Sequence, residues 1–143
     1  MDFNSILSSI GDKLPRDGLA VLALKEKFER LSEERKKDVL NQLPMLKLKS
    51  PALVFWVGTF LLGSFGVGRF MIGDMVLGFI RLAIVVAQLI FGFFVEGGDT
   101  AKALQVIYGL LILTNWIWWI VDMFLVGKKL RKQNYEKIAN IIQ

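Results

Sequence analysis

Asp74, Arg81 and Gln88 recur at intervals of seven residues, and so do Asn115, Asp122 and Lys129. Seven residues is close to two turns of an α-helix, so each trio lies along one side of its helix. Most of these side chains stand in apolar sequence. There a charge at a helix centre costs roughly 2.5–3.5 kcal/mol on insertion scales, so each demands a partner. In an antiparallel pair of helices, residues at equal depth have a constant number sum. Positions 74 and 129, 81 and 122, and 88 and 115 all sum to 203. The implied centre falls between Ala101 and Lys102, inside a turn read below. The chemistry this pattern suits is pairing: Asp74 with Lys129, Arg81 with Asp122, and Gln88 with Asn115, within one chain or between protomers. The alternative is independent snorkelling, since Arg81 and Asp122 each lie only about 8–9 Å from a helix end at 1.5 Å per residue.

Catalytic chemistry has little to work with. The chain contains neither Cys nor His, which removes thiolate nucleophiles, thiolate metal sites, disulfides and the commonest general base and metal ligand. Asp74 and Asp122 have basic partners in the ladder, and Glu96 and Asp99 sit in a turn, so no carboxylate pair stands out for acid–base work. No phosphate loop, nucleophile elbow or metal-ligand spacing is present, and Gly63, Gly66 and Gly68 fall in apolar sequence that suits close helix packing. The chain is therefore expected to be no enzyme and to need no cofactor or metal.

The elements that position these residues follow from how the 143 residues are distributed. Residues 1–50 hold ten Lys/Arg and eight Asp/Glu, residues 51–127 hold three and four, and residues 128–143 hold five and one. A polar head, an apolar body and a basic tail describe an all-α integral membrane protein. Three apolar stretches occupy the body: 52–68, short and glycine-rich; 75–95; and 103–127. Twenty-one residues make a helix of about 31 Å, the thickness of a hydrocarbon core. The last two stretches, joined by the acidic turn 96–102, form an antiparallel transmembrane hairpin, and 52–68 is expected as a short Gly-rich hydrophobic helix.

In the head, Phe3, Ile6, Leu7 and Ile10 keep the i, i+3, i+4, i+7 spacing of an amphipathic helix that Gly11 ends. Residues 14–17, with Pro15 in the first turn, open a second helix with the stripe Val21, Leu24, Phe28 and Leu31. Ser32 caps a third, Glu33 and Glu34 favour its first turn, and Pro44 stops it. Residues 1–46 thus form an amphipathic cytoplasmic cap that packs on itself or a neighbour, or else lies on a membrane surface or a partner. Residues 47–127 form the membrane domain and 128–143 a basic cytoplasmic tail. Met1-Asp2-Phe3-Asn4-Ser5 has no basic n-region before an apolar core, so the apolar stretches themselves direct insertion.

Lys47 and Lys49 on one flank, and Lys128, Lys129, Arg131 and Lys132 on the other, place both termini in the cytoplasm, in the inner membrane. That needs an even number of crossings, met if 52–68 dips in and returns; three full crossings are the other possibility. Anionic headgroups suit the basic tail, whereas nucleic acid does not, because Tyr135 is its single aromatic.

Several short runs carry a resemblance. Lys47-Leu48-Lys49-Ser50-Pro51, the stretch Phe60-Leu61-Leu62-Gly63-Ser64-Phe65-Gly66-Val67-Gly68-Arg69-Phe70-Met71-Ile72-Gly73-Asp74, then Leu77-Gly78, Trp118-Trp119-Ile120-Val121-Asp122 and Asn134 in the tail resemble the TM2-domain family. The likeness covers roughly 47–135. Gly68 stands where the family usually has Asp or His, and Met71 where many members have Tyr, as in a bacterial-type branch. The segment between Arg-Phe and the Trp element is longer by about one helix. The resemblance implies a small helical membrane protein without established enzymatic activity.

Two motifs remain. Arg69, Phe70, Gly73 and Asp74 read as a headgroup or partner contact at the membrane interface, or as a tight turn with Asp74 capping the next helix. Trp116, Trp118 and Trp119 read as a packing face and aromatic belt. The functions compatible with all of this are a membrane-embedded interaction or scaffold module, self-associating or binding another membrane protein, and a homo-oligomeric pore lined by Arg81, Gln88, Asn115 and Asp122.

Overall fold

The structure, a computed structural model, describes residues 2–96 and 102–143. The regular structure among those residues is all helical, with no strand. The turn 96–102, with Asp99, falls largely outside the described residues. The chain divides into two compact units, Met1–Pro51 with Lys128–Gln143, and Ala52–Gly127.

The first unit is a small helical head. Helix α1 (Phe3–Ile10) buries Phe3, Ile6 and Leu7 and gives way to a 3₁₀ turn, Gly11–Lys13. Leu14 is then extended, as the residue before a proline tends to be. Helix α2 (Gly18–Glu29) therefore begins later than the 14–17 start read from Pro15, with Asp17, also extended, at its N-cap position. Helix α3 (Glu33–Gln42) begins where Ser32 predicts. The Arg35 N–H donates to the Ser32 hydroxyl at 3.3 Å, and Lys36 Nζ bonds Glu33 at 2.8 Å. That hydrogen bond, with the Lys36 charge behind it, holds the Glu33 carboxyl below the usual carboxylate range. Leu43–Leu46 closes the segment as a 3₁₀ turn around Pro44.

The core of this unit contains Leu14, Leu24, Phe28, Val39 and Leu43, with Phe3 stacked on Phe28 at 4.0 Å between ring centroids. It also contains Ile138, Ala139 and Ile142. Residues 128–143 are thus more than a basic tail: up to Ile142 they are the last turns of a long helix, α7 (Lys102–Ile142). Leu130, Asn134, Ile138 and Ile142, four apart, are its buried edge, while Lys128, Lys129, Lys132 and Lys137 are exposed. The tail's charge dominates its composition, but its four-residue apolar period decides its structure. Arg35 donates to the carbonyls of Ile141 and Gln143, both at 3.3 Å, satisfying acceptors that a helix C-terminus leaves open.

Asn134 is fully buried, and its amide nitrogen donates to the carbonyls of Lys13 and Lys49, each at 3.0 Å. It joins three separate chain segments within the head. Replacing it with Leu keeps the volume and removes both hydrogen bonds, at about 0.5–1.5 kcal/mol each. Asn134→Leu is expected to lower the thermal midpoint of the head by several degrees, read by near-ultraviolet circular dichroism. An unchanged midpoint would show that these carbonyls find other donors.

The second unit holds the apolar body. The stretch expected as one short helix is broken into pieces: α4 (Pro51–Leu53), a π-helical segment Val54–Leu61, a 3₁₀ turn Gly63–Phe65, and α5 (Val67–Met71). Gly66, at φ +77°, turns the chain between the last two. The breaks let the chain fold back on itself. Gly58 and Gly68 lie so close that a Cβ on Gly68 would meet the Gly58 carbonyl at 3.2 Å, and only glycines permit that approach. Helix α6 (Met75–Glu96), about 33 Å at 1.5 Å per residue, and helix α7 (Lys102–Ile142) are each long and apolar enough to cross a membrane. They run antiparallel, for Gly92 sits against the Tyr108 ring, Gln88 meets Asn115, and Arg81 approaches Asp122.

Candidate functional site

The polar side chains of the apolar unit converge on one buried cluster. Asp122, from α7, is its centre. Its Oδ1 accepts from Arg69 Nη2 at 2.6 Å and from Arg69 Nε at 3.2 Å. Arg69, from α5, also donates through Nη1 to Asp74 Oδ2 at 3.1 Å, so one guanidinium bridges two carboxylates. Arg81 Nε lies 4.0 Å from the other Asp122 oxygen, and Trp118 covers the Arg81 guanidinium at 5.2 Å. Two arginines and two aspartates make the cluster neutral. Arg69, Arg81 and Asp122 are at most 6% exposed, and charges so far from water persist only when paired and hydrogen-bonded.

The remaining donors of Arg81 hold backbone. Nη2 donates to the Gly63 carbonyl at 2.8 Å and Nη1 to the Asn115 carbonyl at 3.2 Å. Trp119 Nε1 donates to the Thr59 carbonyl at 2.8 Å, and the Thr59 hydroxyl turns back to the Val54 carbonyl at 3.3 Å. The pattern has a plain cause. A helix broken at Leu62 and Gly66 leaves carbonyls that its own turns cannot satisfy, and in apolar surroundings each such group costs several kcal/mol. Side chains of α6 and α7 supply the missing donors.

Each residue singled out in the sequence therefore has a place. Gln88 and Asn115 are joined, Asn115 Nδ2 donating to Gln88 Oε1 at 3.3 Å. Arg81 and Asp122 face each other at ion-pair distance, but the close partner of Asp122 is Arg69. Asp74 accepts from Arg69, and Lys129, set opposite it by the spacing, is exposed on α7. Arg69 is buried, Phe70 packs over the bare face of Gly78, and Gly73 sits at φ +79° just before Asp74, whose carbonyl takes the Gly78 N–H at 3.0 Å. Trp116 is exposed, while Trp118 and Trp119 are half-buried on the polar cluster.

The grip of Arg69 on Asp122 is the contact the seven-residue spacing misses. The signal that finds it is charge balance. Outside the turn, the body holds two arginines and two aspartates, equal numbers of each sign. Buried Arg81 Nε and Asn115 Oδ1 make no hydrogen bond. Among the described residues no group of three metal-ligating side chains converges. The cluster ties the broken segment to the two long helices. Compared with protein-family models, curated proteins and solved structures, the chain finds no significant match.

Proposed function

We propose that the chain is a non-enzymatic integral membrane protein, an interaction or scaffold module that associates with copies of itself or with another membrane protein. In this reading α6 and the apolar part of α7 cross the bilayer and residues 51–71 enter and return. The observation that carries it is the composition of the head core. Residues before the apolar body, such as Leu24 and Val39, and residues after it, such as Ile138 and Ile142, share one core. They must lie on the same side of any membrane, so the number of crossings is even. Two candidate spans and one broken segment meet that condition.

The surface supports the same reading. Phe79, Leu89, Phe93, Leu110, Leu113, Ile117 and Phe124 are exposed on α6 and α7, and extensive exposed apolar surface marks contact with a membrane or a partner. Lys47, Lys49, Lys128, Lys129, Arg131 and Lys132 flank it, which orients the head and both termini to the cytoplasmic side of an inner membrane. The likeness to the TM2-domain family agrees with such a module. Arg81, Asn115 and Asp122 are engaged with protein groups, which favours the scaffold over a pore lined by them.

The absence of native cysteine makes the test clean. Single cysteines at Ser5, Asp99 and Gln143 are labelled with a membrane-impermeant maleimide in inverted and right-side-out vesicles. Ser5→Cys and Gln143→Cys are expected to react from the cytoplasmic side and Asp99→Cys from the other. Reaction of the two termini from opposite sides would sink the reading. Single-channel conductance from the intact protein in liposomes would replace the scaffold by the pore.

A further inference from the structure

Among the described residues of the head, the exposed large apolar side chains are Leu19, Leu22 and Met45. Leu19 and Leu22 stand one turn apart at the start of α2, 74% and 61% exposed. α2 already gives Leu24 and Phe28 to the head core, so these two leucines form a second apolar face that the core leaves uncovered. Two hydrogen-bonded ties fix the end of the head they occupy. The Lys13 carbonyl, shortly ahead of α2, accepts from Asn134 at 3.0 Å. Past the far end of α2, Arg35, in the first turn of α3, donates to the carbonyls of Ile141 and Gln143, both at 3.3 Å. α2 therefore runs in the direction of α7, from the level of Asn134 towards that of Ile141. Leu19 and Leu22 lie at the end nearer Lys128.

That end is also the basic one. The Lys49 carbonyl accepts from Asn134 at 3.0 Å, which brings exposed Lys47 and Lys49 there, and exposed Lys128, Lys129 and Lys132 precede Asn134 on α7 within two turns. Asp12 and Asp17 are the carboxylates beside the start of α2, while Glu26, Glu29, Glu33 and Glu34 follow towards its far end. Asn134 stands seven residues past Gly127, where the apolar run ends, about 10 Å along the helix axis at 1.5 Å per residue. A headgroup layer is about 5–7 Å deep. With α7 across the bilayer, the start of α2 lies at the surface of that layer, within reach of a leucine side chain. Exposed apolar residues among basic ones are the composition that binding to a bilayer interface uses. We propose that Leu19 and Leu22 insert into the headgroup layer of an anionic bilayer and, with the lysines at that end, dock the head on the membrane. This rests on the membrane reading above and goes beyond it: there α6 and α7 meet the lipid, and here the head has a contact of its own.

The test uses the full chain with one nitroxide label at a time, on Leu19→Cys, Leu22→Cys, Lys27→Cys or Glu29→Cys. All four positions are exposed, so each replacement leaves the head core intact. The protein is reconstituted in vesicles of phosphatidylcholine with phosphatidylglycerol. Electron paramagnetic resonance then compares the access of oxygen, which concentrates in lipid, with that of a nickel chelate, which stays in water. The oxygen-to-nickel ratio at 19 and at 22 is expected to be severalfold that at 27, on another side of α2, and at 29, at its far end. Equal ratios at all four positions overturn the proposal, because the vesicles hold no other protein and a face reserved for a protein partner stays wet there. Ratios that fall as the protein is diluted in lipid, with spin–spin broadening lost in step, assign the face to a second copy and overturn the lipid assignment. Vesicles of phosphatidylcholine alone are expected to lower the ratio at both leucines, and no change there overturns the part given to the lysines. Failure of the membrane reading is seen separately, as release of the wild-type chain from membranes by alkaline carbonate. A chain that resists carbonate while 19 and 22 stay wet has lost this inference alone.

Discussion

Asp122→Leu is expected to be the most damaging single substitution in the apolar unit. The carboxylate takes two hydrogen bonds from Arg69 and stands 4.0 Å from Arg81 Nε, so its loss leaves two buried guanidiniums to share Asp74. Breaking a buried ion pair from one side costs about 3–5 kcal/mol in soluble proteins, because the partner charge is stranded. In a bilayer the cost is moderated where the stranded side chain can reach a headgroup, but Arg69 is buried and tied to Asp74. The measurement is a double-mutant cycle on thermal stability in detergent, with Arg69→Leu and Arg81→Leu each combined with Asp122→Leu. Coupling between 69 and 122 is expected at about 1–2 kcal/mol, at or above the upper end for polar contacts between membrane helices. Coupling between 81 and 122 is expected to be smaller. Arg81→Leu also strips a donor from the Gly63 carbonyl, and that loss is not recovered by removing Asp122. If the costs of Arg69→Leu and Asp122→Leu simply add, the bridge described above contributes nothing to stability.

The spacing of polar residues makes part of this cluster legible in the sequence. Constant number sums bring Gln88 to Asn115 and Arg81 towards Asp122 because α6 and α7 are regular, and regular helices convert sequence distance into position. The same logic has no purchase on residues 51–71. There the chain changes from α to π to 3₁₀ geometry within about twenty residues, and no fixed rise per residue carries Arg69 to Asp122. The Gly-rich composition announces close packing there, but not which backbones approach. The C-terminal stretch is obscured for another reason. Five basic residues out of sixteen hide the four-residue period of Leu130, Asn134, Ile138 and Ile142, and burial follows the period, not the charge. The first and third head helices begin near where their caps and periodicities place them, because those signals are local.

Gly66 tests whether the broken segment is held by steric fit or merely tolerated. It adopts φ +77°, and a Cβ built there would lie 2.8 Å from both the Gly78 carbonyl oxygen and Arg81 Cβ. Neither can yield easily, since one is helix backbone and the other is the root of a side chain anchored at its far end on Gly63 and Asn115. Gly73 is the matching control. It adopts φ +79°, but a Cβ there would meet nothing within 4 Å. The two glycines share the conformational penalty for an L-residue at positive φ, about 1–2 kcal/mol, and differ only in space. Gly73→Ala is therefore expected to cost about that much and no more. Gly66→Ala adds the clash, at about 1–3 kcal/mol for overpacking, and displaces the turn whose Gly63 carbonyl Arg81 holds. Its thermal midpoint in detergent should fall well below that of Gly73→Ala. Asparagine, which tolerates positive φ better than alanine, should recover stability at position 73 and not at 66. Equal losses for the two alanine variants would mean that α6 moves away from the turn at little cost, and that the polar cluster alone, without close backbone packing, fixes the broken helix.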